Sequence, residues 1–375
     1  MSYLKALYET YEANAIHAGE IETKFIKGEE VEFMLLPISH TTQTAHIEMT
    51  INIDGTVNDA RVVQKESTIL PFTEESGGRA GKNYVPHVLH DKLMFIAGDF
   101  VKYTGQEDKS DSFDRYINQL RDWCGSPYSH PHVQAIYHYV KKGTVIEDLV
   151  ERGILHLGEN GKLLSKWTNK DVERPSIFSV LAGDQESALV RFNIHISEQV
   201  TEPIWRDKEV FNAYTNYYET KLKEKDLCYV MGTSSPKIKL HPNKIRNSGD
   251  KAKLISANDN SGFTFRGRFS SSSEAANVSY DVSQKAHNAL KWLIERQGRQ
   301  IDGRIFLVWG NKQVVISNAV DDLADNWGDS LEDYFTLNEQ SDEPNLQEAL
   351  ARSYRKVLSG FYQDLNLKEG EKVYI

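Results

Sequence analysis

The residues best equipped for chemistry are the cations of "KIRNSGDKAKLISANDNSGFTFRGRF", residues 244–269. There Lys244, Arg246, Lys251, Lys253, Arg266 and Arg268 stand against only Asp250 and Asp259. Lys and Arg neutralise phosphate charge. The amides of the intervening Gly, Ser and Asn residues, Asn258 and Asn260 among them, can donate to phosphate oxygens where a bulky side chain would obstruct. Phe263 and Phe265 add flat faces on which unpaired bases can stack. The alternation of Phe263, Phe265 and Phe269 with Thr264, Arg266 and Arg268 is also that of a half-buried strand. Composition therefore leaves three readings open: a nucleic-acid contact, a solvated charged strand, or a protein-docking surface.

Other chemistries fit less well. "SGGRAGKN" approaches a phosphate-binding loop, but Ser76 stands where the first Gly belongs and Asn83 where the metal-holding hydroxyl belongs. Its glycines read instead as a flexible loop presenting Arg79, Lys82 and Asn83. Among the twelve histidines, "PHVLHD" (His87, His90) and "SHPHVQAIYH" (His130, His132, His138) have spacings found in metal sites. No convergent third and fourth ligand is visible, so solvated or capping histidines and no bound metal are expected. Cys124 and Cys228 are too few for a disulfide framework. There is no G-x-S-x-G elbow, and Cys228 lies in an apolar run that disfavours a thiolate. No catalytic constellation and no cofactor motif emerges, so a non-catalytic protein is expected.

The elements that must position these residues follow from composition and periodicity. With 375 residues, 39% hydrophobic and 26% charged, the chain can build two or three packed units. It has no apolar run long enough to span a membrane, and "MSYLKALYET" lacks the plan of a signal peptide, so a cytoplasmic location is expected. Charge is unevenly spread. Residues 221–270 hold eleven Lys/Arg against four Asp/Glu, a surplus of seven, so the net charge of −10 leaves −17 for the remainder. The most acidic stretch, 321–343, has nine Asp/Glu and no Lys or Arg. This asymmetry suits one basic surface meeting a polyanion, with an acidic face held away from it.

Leu4, Leu7, Tyr8 and Tyr11 predict an opening helix. Ile47, Met49, Ile51 and Ile53 alternate up to Asp54-Gly55, a strong hairpin signal. Helical pieces follow at about 88–98, 113–123 and 131–152, with strand character in "ILHLGENGKLLSKW" and "SALVRFNIHI". "WRDKEVFNAYTNYYETKLKEKD" is amphipathic. "DVSQKAHNALKWLIERQG" places Val282, Ala286, Ala289, Leu290, Leu293 and Ile294 on one face. "GRIFLVWGNKQVVIS" reads as a hairpin turning at Gly310-Asn311, and "EKVYI" as a terminal strand with no partner after it. The expectation is an α+β fold of mixed, mostly antiparallel sheets with packed helices in two sublobes. These are 1–200, with the glycine-rich loop 76–83, and the basic 201–320; an acidic loop 321–344 and a helix and terminal strand over 345–375 complete the chain.

Several long segments in order resemble the large subunit of the type I-C CRISPR surveillance complex, Cascade. They are "SGGRAGKNYVPHVLHDKLMFIAGDF", "HPHVQAIYHYVKKGTVIEDLVERGIL", "LCYVMG", "HPNKIRNSGDKAKLISANDNSGFTFRGRF" and "SYDVSQKAHNALKWLIERQG". Arg79 matches the family's Arg-Thr-Ser-Gly loop, whereas Ala80 and Gly81 stand where that loop has Thr-Ser. The resemblance further implies a helical carboxy-terminal part beyond the position of Ile375, which this sequence is expected to lack. It implies a non-catalytic subunit beside the 5′ handle of the CRISPR RNA, next to the RNA-processing and backbone subunits. Such a subunit reads the protospacer-adjacent motif in target double-stranded DNA and helps recruit the helicase-nuclease, while base pairing reads the rest of the sequence. The alternative is an assembly subunit that touches no target DNA.

Overall fold

The computed structural model describes residues 3–26, 29–79, 84–169, 171–197, 202–246, 252–256, 269–270, 272–301, 304–307, 309–310 and 373–374. The opening helix α1 (Tyr3–Asn14) buries Ala6, Leu7, Thr10 and Tyr11. Leu4 and Tyr8 pack on a small cluster of Cys228, Val278 and Val282. Strands β1 (Ile21–Ile26) and β2 (Glu29–Met34) pair antiparallel.

The central sheet begins with the hairpin expected at Asp54-Gly55, formed by β3 (His40–Asn52) and β4 (Val57–Pro71). The Asp54 carboxylate accepts from the Thr56 amide at 2.9 Å and the Thr56 hydroxyl at 2.6 Å. Gly55 takes φ +79°, and a Cβ there would stand 2.9 Å from the Cβ of His138, so both the turn and the packing require glycine. One face of β3 presents Ile47, Met49 and Ile51, all fully buried. The other carries Glu48, whose carboxylate pairs with buried Arg191 at 2.6 Å and with Arg61 at 3.1 Å. Arg191 also bonds Glu66, and its guanidinium lies 3.8 Å above the ring of Trp205.

From β4 the chain runs through α2 (Glu74–Gly77), β5 (Asp91–Lys92), α3 (Leu93–Ile96), α4 (Phe100–Thr104), α5 (Asp111–Cys124), α6 (Pro131–Val140), α7 (Val145–Glu151) and α8 (Ile177–Val180). It then returns as β6 (Leu189–His195). The sheet order is β4-β3-β6-β5, with β3 and β6 parallel and the other two pairings antiparallel. The fold is α+β with mixed sheets. The helical signal over 131–152 divides into α6 and α7 because Gly143 takes φ +75°, and the backbone there lies against Gly98, where a Cβ would come within 2.8 Å. "ILHLGENGKLLSKW" does not form a strand. It folds back at Gly161 (φ +69°) with a single bridge between Leu157 and Leu163.

Next come α9 (Lys208–Glu219), β7 (Lys225–Leu227), β8 (Ser234–Pro236), α10 (Ser272–Ala275) and α11 (Tyr280–Gln297). Tyr214 and Tyr217 of α9 meet Trp123 of α5 at ring distances of 5.1 and 6.2 Å. The main hydrophobic core draws on Phe192, Tyr214 and Tyr280 alike, so residues before and after position 200 share it.

Two compact units are present, Met1–Arg296 and Gln297–Ile375. In the second, β9 (Arg299–Ile301) pairs antiparallel with β10 (Arg304–Phe306), and β11 (Trp309–Gly310) with β12 (Val373–Tyr374). The terminal strand pairs with β11, which precedes it in the chain. Asn311 and the strand expected after it, the acidic loop 321–344 and the helix expected after 345 lie outside the described residues. Among the described residues, no helix is long and apolar enough to cross a membrane.

Candidate nucleic-acid interface

The glycine-rich loop rises from a rigid stem. Thr73 Oγ1 accepts from the Ser76 amide at 3.2 Å, and Ser76 Oγ accepts from the Thr73 amide at 3.0 Å. This reciprocal capping fixes the single turn α2. A Cβ on Gly77 would meet the ring of Phe72 at 2.7 Å, so this glycine serves packing and not phosphate. Arg79 turns inward instead of projecting to solvent. It donates from Nη1 and Nη2 to the two carboxylate oxygens of Asp91, both at 2.7 Å, and from Nη1 to Val85 O at 2.9 Å. Its guanidinium also lies 4.8 Å from the centre of the Phe95 ring. Asp91 is fully buried and accepts further from the His87 amide at 2.7 Å. A bidentate, desolvated pair of this kind is strong and directional. Arg79 thus staples the two ends of the loop. Lys82 and Asn83 lie outside the described residues.

The stem is docked on the start of the basic stretch. Glu74 Oε1 accepts from the amides of Lys239 and Leu240 at 2.7 and 3.2 Å. A Cβ on Gly78 would stand 3.0 Å from Leu240 Cδ1. Two segments singled out separately in the sequence are therefore neighbours. His241 then ties the stretch to α11: its Nδ1 lies 2.8 Å from Ser283 Oγ, and its ring stacks on His287 at 6.0 Å.

Beyond His241 comes Lys244, half-buried and in a left-handed backbone conformation (φ 58°). Lys291 of α11 is close enough to feel its charge. Burial first, and then Lys244, push the Lys291 ammonium down to about 8, with Glu295 pulling the other way. Among the described residues, neither lysine makes an ion pair. Lys291, desolvated and repelled by Lys244, carries a charge that a nearby anion would stabilise. Lys253 is half-buried and Arg246 exposed. Lys251, Asn258, Asn260, Phe263, Phe265, Arg266 and Arg268 lie outside the described residues.

A cleft of about 900 Å³ opens beside this stem. Six cations line it, namely Arg115, Arg121, Lys221, Lys223, Lys237 and Lys239, against Glu74, Glu75, Asp122 and Glu224. Tyr217 and Tyr218 contribute rings to its wall. Lys221 pairs with Asp122 at 2.8 Å, and Glu224 with Lys237 at 3.1 Å and Lys239 at 2.9 Å. These exposed pairs open at little cost, so their cations can exchange carboxylate for phosphate. Composition and charge did not single out Arg115 and Arg121. Their signal was the exposed polar set Arg115, Asn118, Arg121 and Asp122 on α5, set apart from the buried Tyr116, Leu120 and Trp123.

The histidines divide. His130 caps α6, its Nδ1 accepting from the His132 amide at 3.3 Å. His87 and His90 are buried, not solvated. His90 Nδ1 accepts from the Phe192 amide at 3.1 Å, and His87 Nδ1 lies 3.0 Å from Ser76 Oγ. Burial pushes His87 down to about 4 and His90 to about 3. The two thiols divide as well. Burial pushes Cys124 up to about 12. At Cys228, burial also raises the thiol, but it is outweighed by hydrogen bonding from Ser279, whose amide is 3.4 Å from Sγ, and from nearby backbone. Burial in the apolar run disfavours the Cys228 thiolate, as expected, but the hydrogen bonds around Sγ outweigh it.

A family model described as CRISPR-associated protein (Cas_Csd1) matches residues 7–375. A search of curated proteins finds no match.

Proposed function

The chain belongs to the Cas_Csd1 family of CRISPR-associated proteins, and from that premise we propose that it is the non-catalytic large subunit of a type I-C surveillance complex. In this reading it recognises the protospacer-adjacent motif in duplex DNA, contacts the 5′-handle end of the CRISPR RNA beside the RNA-processing and backbone subunits, and helps recruit the helicase-nuclease in the cytoplasm. The observation that carries it is the docking of the glycine-loop stem on the basic segment through Glu74. That docking sets the stem of the loop, at Glu74, against Lys239 and Leu240 and beside the cationic cleft.

The division of labour follows from residue chemistry. Arg79–Asp91 staples the base of the loop, whose short side chains and glycines suit entry into a groove. Lys82 suits a guanine edge or a phosphate, and Asn83 can pair bidentately with adenine. Lys244, Lys291 and the lysines and arginines of the cleft supply charge without sequence preference.

The test is binding of the assembled complex to a fixed target flanked by a randomised short motif. A motif preference abolished by Lys82→Ala and Asn83→Ala supports the reading. If both variants keep the full preference, the loop does not read the motif. Crosslinking of the assembled complex to target DNA separates this from the assembly-subunit reading, which predicts adducts on RNA or neighbouring subunits alone. Incubation with Mg²⁺ or Mn²⁺ and labelled DNA is expected to leave the DNA uncut.

A further inference from the structure

We propose that His130, His132 and Asp207 form a binding site for a divalent transition metal, of the zinc class, clamping the start of α6 to the start of α9. Each offers one ligand atom, and these atoms all lie within 4.8 Å of one another. His132 Nδ1 is 3.6 Å from Asp207 Oδ2. Glu209 Oε2, 3.9 Å from His130 Nε2, is placed to serve as a fourth ligand or to leave that position to water.

The spacing fits the chemistry. Zinc bonds to imidazole nitrogen and carboxylate oxygen are about 2.0–2.2 Å, so ligand atoms of a tetrahedral set stand about 3.3–3.6 Å apart. The His132–Asp207 pair already meets that spacing, and His130 needs only a small ring movement. Two imidazoles and a carboxylate without a thiolate suit Zn²⁺, and also Co²⁺ and Ni²⁺, better than the harder Mg²⁺ or Ca²⁺. None of the three is fully buried, which leaves an entry path.

The local structure pre-positions the ligands. Pro131 starts α6 between the two histidines. Asp207 caps α9, its Oδ1 accepting from the Glu209 amide at 2.9 Å. That bond orients the carboxylate and leaves Oδ2 facing His132. The cap made by His130 requires an unprotonated Nδ1, whereas a metal at Nε2 requires the proton on Nδ1. Metal loading therefore exchanges one weak cap, at 3.3 Å, for a coordination bond.

A bound ion would also be felt at the cleft. Helix α9 carries the site at its first turn, while Tyr217 and Tyr218 near its other end line the cationic cleft. Fixing the first turn would stiffen that wall. This inference stands on its own geometry and does not require the nucleic-acid reading.

The experiment is titration of the chelator-stripped full chain with Co²⁺ and, separately, Zn²⁺. The expected result is one equivalent bound, with the visible bands of a four-coordinate Co²⁺ site. His132→Gln and Asp207→Asn should each weaken binding more than tenfold, while His17→Ala, a change at an exposed histidine, should not. Asp207→Asn keeps an N-cap for α9, so a fold check by circular dichroism separates ligand loss from unfolding. An octahedral, water-like Co²⁺ spectrum of the wild-type chain would overturn the proposal even if both variants failed to fold. So would equal binding by folded variants.

Discussion

Arg79 and Lys291 are both partly buried cations of the unit Met1–Arg296, yet they are treated in opposite ways. Arg79 finds a fully buried carboxylate, a backbone carbonyl and an aromatic face. Lys291 finds Lys244, and its proton is loosened. A matched buried ion pair organises a fold and offers nothing to a ligand, because its charge is already satisfied. Two like charges held close cost stability, which an arriving anion would offset. The contrast gives Asp91 and Arg79 a structural role, and it is the proposed function that gives Lys244 and Lys291 a phosphate.

The largest expected effect comes from breaking the matched side. Asp91→Ala strands the Arg79 guanidinium and leaves the His87 amide without its acceptor, and should cost about 3–5 kcal/mol in urea unfolding. A cost under about 1 kcal/mol would mean that Arg79 is free to face a ligand, and the contrast would collapse. The same measurement on Arg191→Ala should give a loss of similar size.

Acid titration probes the ground between the two regions. His87 feels both Asp91 and Lys244, and its folded value of about 4 is well below the ordinary 6.5. His40, His241 and His287 are likewise pushed down to about 4, chiefly by burial. Below about 6.5 the unfolded chain takes up protons that these folded histidines refuse. Stability should therefore fall as pH drops from 6.5 towards 4, by up to about 1.4 kcal/mol per pH unit for each histidine. Urea midpoints that stay level from pH 6.5 to 5 would contradict the burial of these rings.

Lys291 should act in the alkaline range. Between about 8 and the ordinary 10.5, the unfolded chain holds a proton that folded Lys291 has shed. Stability contributed at this residue therefore rises with pH across that window. Lys291→Met should flatten that rise. A bound oligonucleotide should move the ammonium titration upward, measured by NMR on labelled lysine. The smallest effect is expected at the rim, where Asp122→Asn frees Lys221. Stability should change by less than about 1 kcal/mol, while affinity for duplex DNA increases modestly.

Much of this was legible from short-range pattern. Asp54-Gly55 fixed the hairpin because turn chemistry is local. The apolar face of α11 was readable because Val282, Ala286, Ala289, Leu290 and Leu293 recur at helical spacing, and all five are buried. What escaped depends on partners distant in the chain or brought together only by folding. The fate of Arg79 was decided by Asp91, twelve residues on and across the loop. The metal-ligand geometry required Asp207 to meet the His130-Pro131-His132 turn from another helix. Lys291 sits in a helix read for its apolar face, and only the approach of Lys244 gives it meaning. "ILHLGENGKLLSKW" has the apolar content of a strand, but its glycines turn it back on itself before a ladder can form.

The most direct test of the central claim is the salt dependence of binding to duplex DNA and to RNA carrying the handle sequence, comparing the wild-type chain with Lys244→Gln/Lys291→Gln. If these lysines hold phosphate, the slope of log K against log salt should fall by roughly 0.9 for each DNA phosphate left without its cation, or about 0.7 for single-stranded RNA. Urea stability at neutral pH should hold or rise. An unchanged slope for both nucleic acids, in a variant that remains folded, would contradict the account.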